Sequence, residues 1–223
     1  MQPLRDPRPT PDLKICGITD PEQAQAIAQM GVQAIGVIGV PATPRFVEPA
    51  QRRAIFQMLE EQHPLLHRVW VVANPDDAAL EEALNGAGQP SVVQLHGGES
   101  VECCQRLKQR YPRQQWWKAL RVREPDDLKQ LEHYAPHVDA LLIDAWSADQ
   151  LGGTGHRIPL DWVHETELSV PWWLAGGVSA EWVPELLSRV NPQGLDASSR
   201  LEERPGWKNL DKVQALVEAV KRG

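Results

Sequence analysis

Cys16, His96, Asp144 and Asp196 each stand at the end of a short apolar run, and all four carry groups that exchange protons. In Asp12-Leu13-Lys14-Ile15-Cys16, strand alternation puts Leu13 and Ile15 on one face and Lys14 with Cys16 on the other. The same parity pairs Gln94 with His96 and Leu142 with Asp144, while Asp196 closes Gly194-Leu195-Asp196. Each residue also has a plainer reading: Cys16 as a small buried hydrophobe, Asp144 as a cap for the following turn, His96 as a satisfied polar residue. Asp196 either anchors a ligand hydroxyl or pairs with Lys14.

Glycines gather beside these residues, at Gly152-Gly153-Thr154-Gly155 and at Gly176-Gly177. Backbone amides without side chains approach an anion closely, and Ser179 after the second pair and Ser198-Ser199 after the eighth run suit a phosphate site. Neither string is a P-loop, since GxxxxGK[ST] is absent.

Eight apolar runs position these groups: Leu13–Cys16, Ala34–Ile38, Arg68–Val72, Ser91–Leu95, Trp116–Leu120, Ala140–Ile143, Trp172–Leu174 and Gly194–Asp196. Their centres lie about 26 residues apart, close to the 30 or so per strand-plus-helix unit of a (β/α)8 barrel. Helix starts lie between them, at Asp20-Pro21-Glu22, Asn74-Pro75-Asp76, Ser100, Glu124-Pro125-Asp126, Ser179 and Asn209. A doubly wound open sheet shares this alternation, but its GxGxxG fingerprint after the first strand is missing. The expected fold is therefore a single-domain α/β (β/α)8 barrel over residues 12–223, after a solvated tail over residues 1–11. In such barrels the active site lies at the C-terminal ends of the strands, where the proton-exchanging residues fall.

The 223 residues carry 23 Lys+Arg against 30 Asp+Glu, a net charge of −7 that argues against a broad nucleic-acid footprint. No apolar run approaches a membrane span, and the charged N-terminus does not read as a signal peptide. Three cysteines form neither an even disulfide set nor a CxxC pair, which favours a reducing cytoplasmic setting. Cys103 and Cys104 read as packing residues, and the scattered histidines predict no metal. The nine tryptophans read as core aromatics.

Lys14-Ile15-Cys16-Gly17-Ile18-Thr19, Thr43-Pro44-Arg45, Gln94-Leu95-His96-Gly97, Leu142-Ile143-Asp144, Gly152-Gly153-Thr154-Gly155, Leu174-Ala175-Gly176-Gly177 and Asp196-Ala197-Ser198-Ser199 occur in that order. Together they resemble the phosphoribosylanthranilate isomerase family of tryptophan biosynthesis. The resemblance implies an Amadori rearrangement of N-(5-phosphoribosyl)anthranilate to 1-(2-carboxyphenylamino)-1-deoxyribulose 5-phosphate without a cofactor. It implies Cys16 as general base, Asp144 as general acid and Arg45 as the ligand of the anthranilate carboxylate. It also implies phosphate binding by amides around Gly177 and Ser199, under a mobile Gly152–Gly155 cover. Lys14, on the same face as Cys16, is expected to favour the thiolate. The implied partner is a small phosphosugar, with no nucleic acid or membrane, in a monomer or homodimer.

Three positions depart from the pattern: Arg200 stands where glycine is usual, Asn209 replaces an aspartate, and Val37-Ile38-Gly39-Val40 lacks a phenylalanine. Two rivals remain. The histidine-pathway isomerase of the same fold is expected to carry aspartate in place of Cys16; a non-catalytic phosphosugar-binding barrel has no reason to keep both Cys16 and Asp144.

Overall fold

The computed structural model describes residues 10–145 and 157–223. Most of the expected tail and the Gly152–Gly155 segment, with Gly153 and Gly155, lie outside the described residues. The eight apolar runs form the strands β1 (Asp12–Cys16), β2 (Ala34–Ile38), β3 (His67–Val72), β4 (Val92–Leu95), β5 (Gln115–Val122), β6 (Ala140–Ala145), β7 (Trp172–Ala175) and β8 (Gly194–Ala197). Each pairs with the next, and β8 closes on β1 in parallel register, Lys14 opposite Asp196, so the sheet is a closed barrel. Burial on both faces explains why the strands read as nearly continuous apolar runs.

Helices α1 (Pro21–Gln29), α2 (Pro49–Gln62), α3 (Asp77–Leu84), α4 (Val101–Arg110), α5 (Gln130–Tyr134), α6 (Leu160–Val163), α7 (Val183–Arg189) and α8 (Leu210–Arg222) alternate with the strands. Asp20, Ser100 and Asn209 cap α1, α4 and α8, accepting from the backbone amides of Gln23, Cys103 and Lys212. Three starts differ from expectation. Glu124-Pro125-Asp126 opens a 3-10 turn over Pro125–Lys129, so α5 begins only at Gln130. Asn74 takes a left-handed φ of 47°, so Asp76 caps α3 instead. Ser179 forms a turn whose carbonyl accepts from Trp182 and Val183, which delays α7 to Val183. A short antiparallel pair, β9 (Glu202–Arg204) and β10 (Trp207–Lys208), follows β8 and was not expected.

Two apolar layers result. Leu13, Ile15, Ile35, Leu141, Ile143, Leu174 and Leu195 face the helices, whereas Ala34, Val69, Val92, Trp117, Ala140, Leu142 and Trp173 fill the barrel. The tryptophan pairs on β5 and β7 each send one ring outward and one inward. Trp117 and Trp173 meet inside at 4.8 Å between ring centroids. Gly194 permits this, since a Cβ there would lie 2.3 Å from the Trp173 ring. This packing is a physical account of part of the tryptophan bias. Cys104 is buried in the outer layer and Cys103 packs partly against it, consistent with packing roles. Among the described residues, no helix is long and apolar enough to cross a membrane.

Candidate active site

Strand parity brings Lys14, Cys16, Gln94, His96, Asp144 and Asp196 to the inner face, and all six are buried. Lys14 is fully buried, and its Nζ donates to Asp196 Oδ2 at 2.8 Å. Asp196 thus makes the ion pair with Lys14, and among the described residues its Oδ1 has no hydrogen-bond partner. Burial pulls the Lys14 ammonium down, but the Asp196 and Cys16 charges outweigh it and hold Lys14 protonated. Burial pushes the Asp196 carboxyl up, against the pull of Lys14 and with the push of the Asp144 charge.

The Cys16 thiol corrects one expectation. Lys14 does lower its pKa, but burial raises it more and Asp196 adds to the rise, so the net shift is upward. Lys14 is committed to Asp196, and the site does not favour the thiolate. Gly36 on β2 makes room for both groups: a Cβ there would lie 2.8 Å from Cys16 Sγ and 3.1 Å from Lys14 Cε.

Across the mouth, His96 Nε2 lies 3.4 Å from Asp144 Oδ2 without hydrogen-bond geometry. Its Nδ1 lies 3.4 Å from Gln94 Nε2. Among the described residues, the buried atoms Gln94 Oε1, His96 Nε2 and Asp196 Oδ1 have no hydrogen-bond partner, although buried polar groups are normally satisfied. Such atoms on the inner face suit the hydroxyls of a polar ligand. Arg121 also belongs to this rim, for it ends the inward parity of β5 and registers opposite Asp144.

Arg45 is not a surface residue; it is 6% exposed. Its Nε and Nη2 donate to Glu202 Oε1 and Oε2 at 2.8 and 2.7 Å. Lys208 Nζ donates to Glu202 Oε1 at 2.7 Å and the Gly206 amide to the same atom at 3.1 Å. Burial alone would raise Glu202, yet Arg45 and Lys208 together hold its carboxyl below the usual range. The Arg45 stem crosses Gly17, which has a φ of +77° and whose Cβ would fall 2.7 Å from Arg45 Cδ. Ser198 Oγ donates to the Cys16 carbonyl at 2.9 Å, tying the end of β8 to the end of β1. Sequence reasoning missed Glu202 and Lys208 altogether. Glu202 sits in an acidic-looking Glu-Glu-Arg string, and only its closeness to Arg45, 157 residues away, marks it.

Gly176 and Gly177 follow β7 with φ of 92° and 67°, backbone that favours glycine. Ser198 and Ser199 follow the neighbouring β8, and Ser199 opens a single 3-10 turn to Leu201. Two adjacent strand ends thereby present turns with close backbone approach, on the side where barrels commonly bind phosphate.

A closed barrel of eight parallel strands with a thiol, carboxyls, an imidazole and a buried arginine at one mouth defines a (β/α)8 protein with its polar site where barrel enzymes carry theirs. Residues 13–219 match the family model described as N-(5'phosphoribosyl)anthranilate (PRA) isomerase. The N-(5'-phosphoribosyl)anthranilate isomerase of Synechococcus elongatus is 45% identical over 210 residues, covering 94% of this chain and 96% of that one. The enzyme of the same name from Thermosynechococcus vestitus is 44% identical, covering 92% and 87%. The crystal structure of phosphoribosyl anthranilate isomerase from Thermotoga maritima superposes with a TM-score of 0.81 at 27% identity, covering 96% of this chain and all of the other. A solved phosphoribosyl anthranilate isomerase in complex with reduced 1-(o-carboxyphenylamino)-1-deoxyribulose 5-phosphate has a TM-score of 0.78 at 27% identity, with 96% and 100% coverage. The chain belongs to the N-(5'-phosphoribosyl)anthranilate isomerase family. It is an isomerase of tryptophan biosynthesis.

Proposed function

We propose that the protein carries out the Amadori rearrangement of N-(5-phosphoribosyl)anthranilate with Asp144 as general acid and Cys16 as general base. A protonated Asp144 gives its proton to the furanose oxygen as the C1–O bond breaks, and the anthranilate nitrogen lone pair forms the C=N bond. Cys16 thiolate then takes the C2 proton, leaving an enolamine that becomes the aminoketone by protonation at C1 and loss of the C2 hydroxyl proton. The support is the convergence of Cys16, His96, Asp144 and Asp196 on one buried inner face, with three polar atoms there that have no hydrogen-bond partner among the described residues.

Arg45 binds the anthranilate carboxylate in this reading, and His96 and Asp196 meet the sugar hydroxyls. The phosphate lies on amides near Gly176, Gly177, Ser198 and Ser199, with Gly153 and Gly155 in the cover over the site. No cofactor, nucleic acid or membrane takes part, and the enzyme works in the cytoplasm as a monomer or homodimer; a solved relative from Thermotoga maritima is described as dimeric.

The test is to add freshly formed phosphoribosylanthranilate to the purified protein and follow the loss of its fluorescence, with the histidine-pathway aminoaldose as a parallel substrate. Decay with the first and no turnover of the second is the expected result. No decay at micromolar enzyme overturns the reading.

A further inference from the structure

The Glu202 side chain is 5% exposed and accepts four hydrogen bonds, from Arg45 Nε, Arg45 Nη2, Lys208 Nζ and the Gly206 amide. A carboxylate held by two cations and a backbone amide is a fixed post rather than a mobile stand-in that a ligand displaces. Displacement would break all four bonds and leave a buried charge without its partners. Arg45 has five N–H donors in a rigid fork, and Glu202 takes one from Nε and one from Nη2. The remaining Nη1 edge is thereby set in one plane.

Arg45 also crosses Gly17, the residue after Cys16, in van der Waals range. Lys208 Nζ lies 3.4 Å from both oxygens of Ser198, whose hydroxyl holds the Cys16 carbonyl. One carboxylate therefore connects the arginine to the strand end that carries the thiol. With Arg45 and Lys208 charged and Glu202 ionised, the cluster keeps a net positive charge, which suits one further anion.

We propose that Glu202 is a positioning residue for substrate selection: it locks the Arg45 fork so that the free edge accepts a planar carboxylate carried by an aryl amine, with Lys208 holding Glu202 in place. This rests on the reading of Arg45 as the carboxylate ligand. A loose arginine would still supply charge, but not a preset bidentate geometry.

The experiment compares inhibition by reduced 1-(2-carboxyphenylamino)-1-deoxyribulose 5-phosphate with inhibition by its phenylamino counterpart lacking the carboxylate. The wild type is expected to prefer the first. Glu202→Gln, checked for folding by its melting curve, should cut that preference by about tenfold, equivalent to about 1.4 kcal/mol. Affinity for the second analogue should change little, and KM should rise more than kcat falls. In an Arg45→Ala background, Glu202→Gln should have no further effect on the preference. If Glu202→Gln does not fold, Glu202→Asp serves: its shorter arm cannot reach both guanidinium nitrogens, and an intermediate preference is expected. A full preference in Glu202→Gln, or in Glu202→Asp, overturns the role of Glu202 while Arg45→Ala still loses it. A full preference in Arg45→Ala overturns the reading of Arg45 itself, and the role of Glu202 with it.

Discussion

Replacing Lys14 with methionine isolates the buried ion pair at the bottom of the site. Lys14 is fully buried and its Nζ stands 2.8 Å from Asp196 Oδ2. At that distance and an effective dielectric of about 20, the Coulomb attraction is about 6 kcal/mol, most of which offsets the desolvation of the two ions. The variant keeps the volume but leaves Asp196 buried, with Oδ1 already without a hydrogen-bond partner among the described residues. Removing one partner of such a pair costs about 3–5 kcal/mol, or roughly 10 °C in Tm for a chain of this size.

The loss carries a pH signature. Lys14 pulls the Asp196 pKa down against burial, so in Lys14→Met that pKa rises further above its unfolded value of about 3.9. A group whose folded pKa is raised contributes stability below the unfolded pKa and loses it as pH rises through the folded one. The deficit against wild type should therefore be largest at alkaline pH and shrink on acidification, as Asp196 takes a proton. Lys14→Met/Asp196→Asn should recover most of the deficit at alkaline pH. Thermal melts of the three proteins as a function of pH provide the assay. A Lys14→Met deficit under about 1 kcal/mol, or one that does not shrink on acidification, would refute the reasoning.

Gly36→Ala should place a methyl against Cys16 Sγ and Lys14 Cε, costing about 1–3 kcal/mol of stability by overpacking and depressing kcat disproportionately; melting curves and initial rates report both. Lys118→Met should cost about 3–5 kcal/mol in denaturant unfolding, because it strands Glu99, to which Lys118 Nζ donates at 2.7 Å with both side chains 1% exposed. In the pH profile of kcat/KM, the rising limb should lie above the usual cysteine value of about 8.5, since burial outweighs Lys14 at Cys16. Cys16→Ser should remove that limb.

The strands were legible because both faces of a barrel strand are buried, which leaves runs such as Ala34–Ile38 uninterrupted by charge. Lys14, Gln94 and Asp144 stood out for the same reason, as polar residues at inward parity within apolar runs. Helix starts were legible where a cap and its amide are local, as at Asp20 and Asn209. They slipped where backbone conformation intervened, at Asn74 and Ser179. β9 and β10 are too short for periodicity to show. Glu202 was illegible because its role depends on contacts distant in sequence with Arg45, and Arg45 was legible only through resemblance.

The division of acid and base is tested most directly by the rate of phosphoribosylanthranilate consumption in Cys16→Ser and Asp144→Asn, alongside binding of the reduced product analogue. The account predicts that each variant still binds the analogue while kcat falls by about 10²–10⁴-fold, and that the double variant loses less than the product of the two. Full activity in Cys16→Ser with an unshifted rising limb would contradict it and pass the role of base to Asp196 or His96.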